Sequence, residues 1–160
     1  DIGCGVGGWL RFLRRQGYRV EGVEIAEQTV RRLAQAGVDG VKVGSIVLTD
    51  GGFAIGVVSD VGNASAVVRM VLAPGEKTDV VVGPVGFTIS GRGGGNAWAE
   101  VPREASIQEQ DPVFAPRFLN RPVGIIGKIE SSTSSAYADV YVVFPLNLNS
   151  VRYVHIVPGV

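Results

Sequence analysis

Cysteine and histidine are each present once in 160 residues, as Cys4 and His155. No intrachain disulfide can form, and one residue of each type argues against a structural zinc site and most nucleophile–base pairs. No apolar run approaches the roughly 18 residues of a membrane span, and no signal peptide stands at the start. Net charge is also lacking: 15 basic residues balance 15 acidic ones. That balance argues against a broad nucleic-acid-binding surface. After residue 45 helical periodicity is almost absent. The chain opens without Met inside what reads as a loop motif, so residues are expected to have been lost upstream.

What is abundant is glycine. Twenty-three glycines and eight prolines cluster at 3–8, 51–56, 83–95 and 122–127. Hydrophobic residues form 46% and charged residues 19%, a globular balance rather than a disordered one. The length suits one ordinary domain or two small ones.

Residues 1–44 alternate between helix and strand. The loop Asp1-Ile2-Gly3-Cys4-Gly5-Val6-Gly7-Gly8 leads into a helix with Leu10 and Leu13 on one face, closed by Gly17. Tyr18 to Glu24 reads as a strand, Ala26 to Gln35 as a second amphipathic helix, and Val38 to Val43 as another strand. Glycines in such a loop let the backbone approach a ligand closely, and an acid ending the next strand can accept hydrogen bonds from ribose hydroxyls. Glu24 stands at that place. Cys4, inside the loop, reads as a small apolar residue.

This segment resembles the opening of the class I S-adenosylmethionine-dependent methyltransferases. The resemblance implies that Gly3, Gly5 and Gly7 line the methionine part of the cofactor, that Asp1 lies near it, and that Glu24 holds the ribose. The strand that should precede Asp1 is missing, Ser45 stands where the family carries an acid near the adenine, and no later residues resemble a methyl-acceptor region. Two recognisable strands do not build the sheet such a pocket needs. The leading expectation is therefore an inactive remnant with no bound cofactor. The alternatives are a working S-adenosylmethionine site, or one completed by another chain or by missing residues.

Residues 45–160 read as short strands separated by turns, the cadence of a small antiparallel barrel or sandwich. Strands are expected at Ile46–Thr49, Phe53–Ser59, Val67–Ala73, Thr78–Val82, Val85–Ser90 and Ala97–Val101. Gly91 to Asn96 is followed by no Gly-Lys-Ser/Thr, and reads as a hairpin tip or a crossing between subdomains. Residues 102–111 form a polar connection, and the proline-flanked Pro112–Ala115 suits an edge strand. Further strands are expected at Pro122–Ile129, with glycines at barrel corners, at Tyr137–Phe144 and at Arg152–Val157. In Tyr137–Phe144 the alternation puts Ala138, Val140, Val142 and Phe144 on one face. Asp50, Asp60 and Asp111 sit at turns, where Asp bonds its own backbone. His155 reads as a packed or edge histidine, and Asn63-Ala64-Ser65 is a glycosylation sequon.

In order along the chain, Ile46 to Ser59, Ser65 to Leu72, Val101 to Ala105, Val123 to Ile129, and Val140 to Pro145 with Val151 to Ile156 as a closing pair resemble the β-domain of the rod-shape-determining MreC family. Departures fall at Gln110-Asp111 and at Ala115 to Arg121, where the family carries Gly-Asp and a glycine-rich turn. The resemblance implies a non-enzymatic scaffold outside the cytoplasmic membrane. It would self-associate through exposed sheet edges and link the cell-shape machinery to peptidoglycan synthesis.

The expected fold is mostly β, with two β-subdomains near 45–90 and 97–157, behind a truncated α/β Rossmann-like piece at 1–44. Two other readings stand beside the scaffold: a cytoplasmic S-adenosylmethionine-dependent methyltransferase, or a non-biological fusion of two fragments. Only Gly44-Ser45 separates the two patterns, so an abrupt join is expected.

Overall fold

β-branched residues in short runs, punctuated by glycine turns, give ten strands among the described residues of this computed structural model, which are 41–62, 65–132 and 134–158. They are β1 (Ile46–Leu48), β2 (Ala54–Val61), β3 (Ala66–Met70), β4 (Lys77–Val82), β5 (Val85–Gly93), β6 (Asn96–Pro102), β7 (Pro112–Ala115), β8 (Arg121–Ser131), β9 (Tyr137–Val143) and β10 (His155–Val157). Two short 3₁₀ turns, Pro116–Phe118 and Leu148–Ser150, are the described helical elements. The strands form a four-stranded sheet, in the order β10-β1-β2-β3, and a closed six-stranded barrel, β4-β5-β6-β9-β8-β7.

The described chain divides into two compact units. One holds the residues up to Asp50, then Gly56–Arg69, and those from Arg152 onward. The other holds Gly51–Ile55 and Met70–Val151. This grouping differs from the sequence ranges 45–90 and 97–157, because β5 and β6, on either side of that division, pair in one barrel.

In the first unit β1 is buried along its length, as Ile46, Val47 and Leu48. It pairs antiparallel with β10, Leu48 opposite His155 and Ile46 opposite Val157. The expected closing pair therefore separates: β9 belongs to the barrel and β10 to the sheet. The junction at Gly44-Ser45 is already engaged with β2, for Gly44 N–H donates to Val58 O at 2.8 Å and Val58 N–H to Ser45 O at 2.8 Å. The expected strand Val38–Val43 is not observed over its described part, 41–43. Ser45 N–H instead donates to Lys42 O at 3.0 Å, closing a turn through Gly44 at φ +90° and leaving Val43 64% exposed. A left-handed glycine ends any extended run there. The remainder of the expected Rossmann-like piece lies outside the described residues.

In the second unit strict alternation fills the barrel interior. Ala138, Val140 and Val142 of β9 point inward, as expected, with Val80 and Val82 of β4 and Ala97, Ala99 and Val101 of β6. Phe118, in the 3₁₀ turn, is fully buried. Gly94 (φ +61°) and Gly95 (φ +81°) form the β5–β6 hairpin loop with the positive pair that a type I′ turn requires. Three register shifts bend the wall, between Gly91 and Gly93, Val113 and Phe114, and Ile126 and Lys128. Such bulges let a small sheet close. Closure overturns one expectation: β7 is not an edge strand, since Val81 pairs with Phe114 on one side and β8 lies on the other. Pro112 lacks only the single N–H at the first position of the strand, where proline is tolerated.

Candidate interaction surfaces

Closed barrels have no free strand edges, so edges among the described residues are confined to β3 and β10 of the four-stranded sheet. β3 is the more exposed. Val67 is 57% exposed, and Ser59 Oγ donates to Val67 O at 3.1 Å from the neighbouring strand. At the other edge His155 Nε2 lies 2.8 Å from Asp50 Oδ1, both side chains largely exposed. The lone histidine thus pairs with a turn carboxylate at the end of β1. No nucleophile accompanies it among the hydrogen bonds described.

A second surface runs across four barrel strands. Register aligns Ser90, Trp98, Tyr141 and Lys128 in one row over β5, β6, β9 and β8. Glu100, Asp139 and Glu130 form the next row. Arg92 lies over the Trp98 ring at 5.5 Å and the Tyr141 ring at 5.8 Å. Each ring face attracts the guanidinium through its quadrupole. Trp98 Nε1 donates to Asp139 Oδ1 at 3.0 Å, and Tyr141 OH donates to Glu130 Oε2 at 3.3 Å. Lys128 pairs with Glu130. Three carboxylates in one cross-strand row repel, and these donors offset that repulsion.

The ionisations follow from those contacts. The Lys128 hydrogen bond, then its charge, holds the Glu130 carboxyl below the ordinary carboxylate range. The same hydrogen bond and the Glu130 charge push the Lys128 ammonium up. Partial burial, followed by the Glu130 charge, pushes the Tyr141 phenol up. These are paired groups on the barrel surface.

A recess of about 170 Å³ opens elsewhere on the barrel, lined by Val101, Pro102, Arg103, Ala105, Ile107, Ile129, Ser131 and Ala138. Among the described residues no group of three His, Cys, Asp or Glu could hold a metal ion, and no helix is long and apolar enough to cross a membrane. The cofactor-site residues expected from sequence, Asp1, Gly3, Gly5, Gly7 and Glu24, lie outside the described residues, as do Cys4, Asn63 and Ala64. Sequence reasoning missed the Arg92–Trp98–Tyr141 stack. The period of two puts Trp98 and Tyr141 on outward faces, but their adjacency needs the β6–β9 pairing, across 41 residues between Trp98 and Asp139.

Comparison with known proteins gives one family. Residues 29–158 match the family described as rod shape-determining protein MreC, barrel core. No match was found among curated protein sequences. The structure resembles a crystal structure of MreC from Pseudomonas aeruginosa with a TM-score of 0.63 and 23% identity, over 73% of this chain and 81% of that one. A second MreC structure gives a TM-score of 0.62 and 24% identity, over 73% and 71% of the two chains. The major periplasmic domain from the cell shape-determining filament MreC gives 0.52 and 20%, over 75% and 80%. None of these is a methyltransferase, and the family match takes residues 29–44 from the segment read as one.

Proposed function

This chain belongs to the rod shape-determining protein MreC family, and from that premise we propose that it is a non-enzymatic scaffold in cell-shape determination and the organisation of peptidoglycan synthesis. The observation that carries the reading is the family match across 29–158, supported by the closed β4–β9 barrel shared with MreC structures. Its working parts are surfaces. Among the described residues the edges at β3 and β10 carry no further strand and offer backbone for strand addition, which supports self-association. The partners are further copies of the chain and proteins of peptidoglycan synthesis. One solved relative is a major periplasmic domain, which supports placing this domain on the extracytoplasmic side of the membrane.

Sedimentation velocity over a concentration series tests the self-association. The weight-average coefficient should rise with concentration, and a strict monomer throughout would overturn it. Affinity capture by the tethered chain should retain peptidoglycan-synthesis proteins from a rod-shaped bacterium, and their absence would count against the scaffold role. The N-terminal segment is proposed to be an inert remnant with no cofactor. Calorimetric titration with S-adenosylmethionine checks this, and micromolar binding lost in Glu24→Ala would reverse it.

A further inference from the structure

The two rims of the closed barrel carry opposite charge. At one rim Lys77 opens β4, Gly93 closes β5, Asn96 opens β6, Val143 closes β9, Arg121 opens β8 and Ala115 closes β7. The loop after β1 joins them there, with Gly52 beside the Arg121 guanidinium and the Phe53 ring 5.9 Å from that of Phe144. The segments of this rim, 51–55, 70–77, 91–96, 115–121 and 143–150, carry Lys77, Arg92, Arg117 and Arg121 against one acid, Glu76. Among the described residues none of these four cations pairs with a carboxylate. At the other rim the connection 103–111 holds Glu104, Glu109 and Asp111 against Arg103.

Two leucines stand among the cations of the basic rim, Leu119 at 44% and Leu146 at 48% exposed. Each sits in a loop fixed by its own bonds. Leu119 adopts φ 55° and ψ 36°, and its N–H donates to Pro116 O. Asn120 follows at φ 54°. Asparagine tolerates this left-handed region, but leucine rarely occupies it. Arg117 is held beside Leu119, its guanidinium 4.8 Å from the ring of the buried Phe118. Leu146 precedes Asn147, whose Oδ1 accepts from Asn149 N–H at 3.0 Å and whose carbonyl accepts from Ser150 Oγ at 2.7 Å. No charged residue occurs from 142 to 151.

We propose that this rim lies on an anionic bilayer surface, with Leu119 and Leu146 entering the headgroup region and Arg117 and Arg121 meeting lipid phosphates. Separate apolar side chains on loop tips, ringed by unpaired cations, suit a bilayer, which receives them without shape complementarity. A protein partner would need a matching packed surface. The contact goes beyond the scaffold reading and does not depend on self-association.

The test is co-sedimentation of the full 160-residue chain with two kinds of vesicle. One is phosphatidylcholine alone, and the other holds equal parts of phosphatidylcholine and phosphatidylglycerol. The chain should partition to the anionic vesicles and little to the zwitterionic ones, and added salt should reduce that partition. Leu119→Gly, which suits the left-handed backbone, and Leu146→Ser should each lower it roughly 10-fold, the loss expected for one apolar side chain. Arg117→Gln with Arg121→Gln should lower it roughly 20-fold, from about 1 kcal/mol for each cation near an anionic surface. Thermal midpoints of all variants verify folding. Tyr137→Ser removes a side chain 55% exposed near the opposite rim and should leave partition unchanged. A chain that ignores anionic vesicles overturns the proposal, as does a Tyr137→Ser variant that loses as much as the leucine variants. Retention on immobilised polyglutamate through Arg117 and Arg121, without vesicle binding, would assign the rim to an acidic protein surface instead.

Discussion

Gly91 lies so close to Ala73 that a Cβ at position 91 would sit 2.1 Å from the Ala73 carbonyl oxygen, with Leu72 O at 2.9 Å. The strand is held there by two hydrogen bonds to the 75–76 turn. Gly91 N–H donates to Glu76 O at 2.8 Å, and Gly75 N–H donates to Gly91 O at 3.1 Å. No flexible side chain can yield, because the opposing atoms are backbone. Gly91→Ala should therefore cost about 3 kcal/mol or prevent folding. Gly94→Ala, at φ +61° and with only the Asn96 side-chain amide nearby at 3.5 Å, should cost about 1 kcal/mol. Urea unfolding of the two variants measures the contrast, and equal costs would contradict the packing argument.

Thr78 is 2% exposed, and its Oγ1 has no hydrogen-bond partner among the described residues. A buried hydroxyl without a partner costs desolvation that an isosteric methyl does not. Thr78→Val should raise stability by about 1 kcal/mol in chemical denaturation.

The Lys128–Glu130 pair sets a pH dependence with a sign on each side. Glu130 is held low in the fold, so its contribution is present above the ordinary carboxylate range and is lost as pH falls through the lowered value. Lys128 is held high, so its contribution is complete below the ordinary ammonium range and is lost as pH rises through the raised value. Lys128→Met should move the Glu130 carboxyl titration upward toward its ordinary range, read by NMR of the side-chain carbon. An unmoved midpoint would mean that the pair does not persist in solution.

Arg92 over Trp98 should show a coupling of about 0.5–1 kcal/mol in a double-mutant cycle of Arg92→Ala and Trp98→Ala. Asp139→Ala should separately cost about 1 kcal/mol by leaving the half-buried Trp98 Nε1 without its acceptor. Equilibrium unfolding checks both.

The strands of the barrel were legible because their signal is local. Tyr137 to Phe144 alternates strictly, and the described β9 buries Ala138, Val140 and Val142 as that alternation requires. The tip at 94–95 was legible for the same reason, since paired glycines suit two positive φ values. Pro112–Ala115 was misread as an edge because proline reports only a missing N–H. The neighbours of β7 come from Val81 and from Pro122 to Ile125, far apart in sequence. The left-handed backbone of Leu119, at φ 55° after the Pro116–Phe118 turn, was equally hidden, because no local pattern predicts a left-handed leucine.

The sequence alone determined the family, the β character after residue 45 and most strand positions, since period-two patterning and turn chemistry are written residue by residue. Only the tertiary structure decided which strands meet. It closed β4 to β9 into a barrel, sent His155–Val157 back to Ile46–Leu48, and brought Arg92, Trp98 and Tyr141 together. The physical reason is that partner choice depends on long-range burial and register, which the whole set of strands settles at once.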